Sequence, residues 1–110
     1  MTCHADRGAD AGFRANIVNF MNFGGSVEVR VLGRSDWASV TFAGARHRLE
    51  VVVQGDGTVG AAADFLRSLP NLEFTIPGHI VADIALVSEE RRDGGGYARL
   101  ELEALTIEDN

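Results

Sequence analysis

The chain has 110 residues, enough for one domain whose core needs no disulfide or metal staple, and 45% hydrophobic content excludes a disordered protein. Sixteen acidic against ten basic residues leave a net charge of −6, a surface that repels phosphate backbones and argues against nucleic-acid binding. One cysteine, Cys3, excludes an internal disulfide and fits a reducing compartment, and no apolar run reaches the roughly 20 residues that cross a bilayer.

Residues 1–12, rich in Asp, Gly and Ala, read as a mobile leader ahead of a single domain over residues 13–110. The leader lacks the basic-then-apolar layout of an export signal, so a cytoplasmic location without membrane contact is expected. From Phe13, the residues Phe13, Ile17, Phe20 and Met21 fall on one face of a short helix, with Asn16, Asn19 and Asn22 on the other. Gly24-Gly25 closes it. Three asparagines weaken its intrinsic helicity, so this helix depends on docking.

Three short strands follow in the pattern. Ser26–Leu32 alternates with Val27, Val29 and Val31 on one face, Gly33–Asp36 reads as a turn, and Trp37–Phe42 as a second strand opened by the only tryptophan. After the turn Ala43–Ala45, Arg46–Val53 alternates with Leu49, Val51 and Val53 inward. Thr58 is placed to cap the next helix by accepting from an early backbone N–H, with Val59, Ala62, Ala63, Leu66 and Leu69 as its buried face. Pro70 stops that helix, Arg67 suits its last turn, and Asn71–Ile76 reads as a short extended piece.

The last third, Ile80–Arg92 and Tyr97–Ile107 around the joint Asp93–Gly96, has the pattern of an antiparallel hairpin. The fold class expected is therefore α+β: an antiparallel sheet of about five strands, built from a meander, a helix and a C-terminal hairpin, with an N-terminal helix beside it. The two hairpin strands differ. Tyr97, Arg99, Glu101 and Glu103 alternate with Ala98, Leu100, Leu102 and Ala104, which gives one wet face. Ile80–Val87 has almost no wet face, so it needs cover on both sides. The second helix supplies one layer, and the other comes from the N-terminal helix or from a second copy of the chain. Self-association, as a homodimer, is the expectation that follows.

Few residues carry chemistry. Asp83 is the one charge in the apolar run, where a carboxylate either pairs or raises its pKa and serves as an acid or base. Its structural alternatives are pairing with Arg46, Arg48 or His47, or a place at the sheet's edge. His79 starts the same strand after Pro77-Gly78 and on a regular strand shares a face with Asp83. Four residues at about 3.3 Å each separate them by roughly 13 Å, too far for a dyad. His79 then needs a partner from elsewhere, such as His47, or is simply a turn residue.

Trp37 either anchors a core edge, lines a pocket or sits at a subunit contact. Cys3-His4 lacks both the spacing and the further ligands of a zinc site, so no metal and no cofactor are expected. Gly94–Gly96 and Gly24-Gly25 match no phosphate loop, and no serine has nucleophile-elbow surroundings.

No motif names a reaction, and nothing decides whether the chain is an enzyme. The leading expectation is a small cytoplasmic interaction or regulatory module, homo-oligomeric and without catalysis. The rival expectation is a small-molecule-binding protein or minor enzyme with a cleft near His79, His47 and Trp37, and with Asp83 as a further candidate.

Overall fold

A computed structural model describes the backbone over residues 3–21, 23–92 and 96–108, with side chains from residue 9 onward in those spans. Two helix–hairpin halves follow one another. Helix α1 (Cys3–Phe20) leads into strands β1 (Ser26–Ala38) and β2 (Ala43–Gln54); helix α2 (Thr58–Ser68) and a 3-10 turn (Leu69–Asn71) lead into β3 (His79–Arg91) and β4 (Tyr97–Glu108). The strands form one antiparallel sheet in the order β1-β2-β4-β3. Each hairpin thus places its second strand at the centre and its first at an edge. The class is α+β, but the sheet has four strands, not about five.

The missing strand is absorbed into β1. Residues 33–36, which have turn chemistry, stay extended and pair with β2, Arg34 opposite His47 and Asp36 opposite Ala45. Gly33 takes part in an irregularity, since the register slips between Val31 and Gly33 and leaves Leu32 as the extra residue. The chain turns later, at residues 39–42, where Ser39 N–H donates to the Phe42 carbonyl at 2.7 Å and Phe42 N–H donates to Ser39 Oγ at 3.1 Å. Pairing with a long β2 outweighs the local turn signal. Trp37 accordingly lies near the end of a strand and does not open one.

Helix α1 starts well before Phe13. Its buried face is Ala9, Phe13, Ile17 and Met21, packed with Val29, Leu49, Val51 and Val53 in the core. Phe20 stays at the rim beside Phe65, ring centroids 5.9 Å apart. The side chain of Asn16 donates to the Thr75 carbonyl at 3.1 Å and accepts from the Thr75 N–H at 3.2 Å, which clips α1 to the segment before β3. With α1 docked on the chain's own sheet, its apolar face is not a surface for association.

Helix α2 buries Thr58, Ala62 and Phe65, followed by Leu69 in the 3-10 turn, while Val59 faces water. The buried stripe is rotated from the expected one because Phe65 is the bulky residue the core requires. Gly57 is the N-cap, at φ +88°, and Thr58 does not accept a capping bond: its hydroxyl donates to the Gly55 carbonyl at 2.7 Å.

The apolar run in β3 is not sandwiched. β3 is an edge strand, and its register slips at Ala82 and at Val87. Each bulge adds one residue and reverses the alternation beyond it. Val81, Ile84 and Leu86 therefore share the helix side of the sheet, where Val81 and Ile84 join the core's margin. Ile80, Asp83, Ala85 and Ser88 share the other face. A run that reads as apolar on both sides is, once its bulges are removed, a strand with one mixed face.

Candidate functional site

All the helices pack on one side of the sheet, and two arrangements of functional side chains result. The first is on the helix side, at the end of the sheet where β1 and β4 finish. His47 on β2 is 1% exposed there, with its ring 5.3 Å from that of Phe13. Its Nε2 lies 2.9 Å from the Thr106 hydroxyl on β4, which in turn lies 3.3 Å from the Ala45 carbonyl. A hydroxyl has one proton. When Thr106 donates it to Ala45, its oxygen is left to accept, so Nε2 of His47 carries the hydrogen. Neither group is then presented to a substrate.

His79 opens β3 in the row of Glu108, half-buried, and its Nδ1 has no hydrogen-bond partner among the described residues. His47, His79, Arg34, Thr106 and Glu108 border one small space of about 10 Å³, the scale of a single water. An open groove of about 330 Å³ adjoins it, sharing Arg34, Gly44 and Glu108 and adding Trp37. Trp37 covers Gly44 so closely that a Cβ there would lie 2.9 Å from its Cζ2. The indole N–H is buried without an acceptor among the described residues.

The structure thus brings His47 and His79 to one space and Trp37 to the neighbouring groove. Asp83 is not with them. The bulge at Ala82 turns it to the helix-free face, opposite Leu105, while His79 faces the helix side, so the two do not share a face. Asp83 is exposed and forms no ion pair with Arg46, Arg48 or His47. The side chains of Cys3 and His4, and the joint 93–95, lie outside the described residues. No group of three or more His, Cys, Asp and Glu side chains suited to a metal occurs among the described residues, and no helix there is long and apolar enough to cross a membrane.

The second arrangement lies on the helix-free face. Glu50, at its centre, accepts from Arg30 Nε at 3.0 Å and from Arg99. Arg99 also reaches Glu101 at 3.4 Å, and Arg48 joins Glu101 at 2.5 Å and Glu103 at 3.6 Å. Glu50 is only 7% exposed although no helix covers it, because the arginine stems roof it. The hydrogen bond from Arg99 holds its carboxyl below the usual carboxylate range, aided by the charge of Arg30 and opposed by desolvation. Glu101 is lowered likewise, chiefly by its bond from Arg48.

At the end of this face next to the β1–β2 turn stands a row without charges. Trp37, Gly44, Ile107 and Ile80 form one row across all four strands. Leu105 stands in the next row, between Arg46 on β2 and Asp83 on β3. Ile80 is 50% exposed, and Phe42, in the turn beyond the row, is 56% exposed. The charge ladder and the apolar row both escape a reading of single strands, since each depends on register across four. All ten basic residues of the sequence are arginines, which is its one signal of the ladder. The sequence matches no protein-family model and no curated protein.

Proposed function

We propose that the chain is an interaction or regulatory module that works by self-association, as a homodimer, through the helix-free face of its sheet and without catalysis of its own. The observation that carries this reading is the uncovered apolar row at residues 37, 107 and 80, extended by Leu105 and by the exposed Val40 and Phe42 of the turn. Apolar surface left in water forgoes about 25 cal/mol per Å², and a contiguous patch of it marks a place where something docks. The acidic excess of the chain would suit a wet face, yet the row at residues 37, 44, 107 and 80 carries no charge. Light scattering coupled to size exclusion is expected to give twice the mass of one chain across the micromolar range. A strict monomer throughout that range would refute the reading.

One observation favours a second reading, a small-molecule site. The groove beside Trp37 reaches the low end of ligand pockets, roughly 300 Å³, and next to it lies His79 Nδ1, which has no partner among the described residues. Trp37, the only tryptophan, is its reporter. A ligand from a fractionated small-molecule extract is expected to shift Trp37 emission in the native chain and not in His79→Ala. Emission that no fraction moves would leave the groove without this role.

A further inference from the structure

We propose that two copies pair face to face about a twofold axis parallel to the strands, with Arg46 of each copy set against the partner's Asp83. The inference rests on the self-association proposed above and adds its geometry. It starts from the two leftover charges beside the apolar row. Arg30, Arg48 and Arg99 all bind carboxylates on the helix-free face, whereas Arg46 and Asp83 are exposed and form no ion pair among the described residues. They occupy β2 and β3 with β4 between them, so about 10 Å of sheet separates them within one chain.

A rotation about an axis between β2 and β4 keeps every row and exchanges β1 with β3 and β2 with β4. Trp37 then faces the partner's Ile80, and Gly44, the one position in the row without a side chain, faces the partner's Ile107. Arg48 faces the partner's Glu103. Arg46 faces the partner's Leu105 and comes within one strand spacing, about 5 Å sideways, of the partner's Asp83, which an arginine spans. Glu50 and Glu101, which also face each other, are already bound by arginines, and the exposed Glu28 faces the partner's Glu90 toward the end of the face away from the apolar row, a like-charge contact that this pairing carries. An axis across the strands returns each strand to itself, and when it runs through the row of Leu105 it lays Arg46 over Arg46 and Asp83 over Asp83. The size is sufficient: four strands of about 40 Å at 4.8 Å spacing offer about 750 Å² per copy, close to the roughly 800 Å² of a standard interface.

Sedimentation velocity on the full chain tests the pairing. Arg46→Asp and Asp83→Arg, each alone, are expected to weaken dimerisation about tenfold or more, because like charges then meet across the axis. The double variant is expected to recover to within about threefold of the native constant, since it restores both pairs. Should either single variant lose its circular dichroism, Arg46→Gln and Asp83→Asn take its place, with weakening expected from both. A native dimer that none of these changes disturbs overturns this geometry while self-association stands. A native monomer overturns both.

Discussion

Glu50 is a carboxylate kept from water by the cations that bind it, and that arrangement has a pH consequence. Its folded pKa lies below its ordinary value of 4.5, so its contribution to stability is present above about pH 4.5 and is lost as pH falls through the folded value. In urea melts at a series of pH values, the native chain is expected to lose stability in acid more steeply than Glu50→Gln. At neutral pH that variant is expected to be less stable by on the order of 1 kcal/mol, a modest figure because the surrounding arginines remain partly solvated. Coincident pH profiles would show that the ladder is not a stabilising feature. At Thr106 the consequence of substitution is an orphaned donor. Thr106→Val leaves His47 Nε2–H buried without its acceptor, and thermal melts are expected to show a loss of about 1–3 kcal/mol. At this scale residue type was legible and partnership was not. His47 and His79 stand out as histidines in any reading, but only the β2–β4 register puts Thr106 against His47, and only the bulge at Ala82 parts His79 from Asp83.

Helix α1 shows how closeness of elements outweighs local preference. Gly12 lies inside the helix, where alanine is favoured by about 1 kcal/mol. A Cβ there would stand 2.8 Å from both Ile76 Cγ1 and Cγ2, and Ile76 is buried. Overpacking of this kind costs about 1–3 kcal/mol, so the clash wins. Gly12→Ala is expected to lower stability by about 1 kcal/mol in denaturant melts, and a more stable variant would mean that α1 sits farther from the segment before β3. The strands carry the same lesson. Alternation found the inward valines of β1 and the leucines of β4, because period two is written in the chain itself. It placed a turn at 33–36 and missed the one at 39–42. Val40 and Thr41 are β-branched and Gly33, Ser35 and Asp36 are turn formers, so the choice fell to the length of β2, which no local rule contains.

On the scale of the whole molecule, all helices lie on one side of a four-stranded sheet, in a body of 49 × 25 × 21 Å. The other side is left to its own side chains, charged in the middle and apolar at one end. Ile80→Glu, a change at a half-exposed edge position that sets a carboxylate against the partner's Trp37, is expected to abolish self-association while leaving the melting transition within about 1 kcal/mol of native. Light scattering and thermal melts on the same sample separate the two effects. Dimerisation that survives this substitution would place the contact elsewhere.

Local patterning was enough for the α+β class, the two helices, the C-terminal hairpin and most inward-facing residues, since periodicity and helix stops act over a few neighbours. Only packing settled the number of strands, the edge position of β3, the docking of α1 and the grouping of His47 with His79. The physical reason is register: one extra residue at 32, 82 or 87 moves every side chain beyond it to the opposite face, and whether a bulge is tolerated depends on the strand alongside.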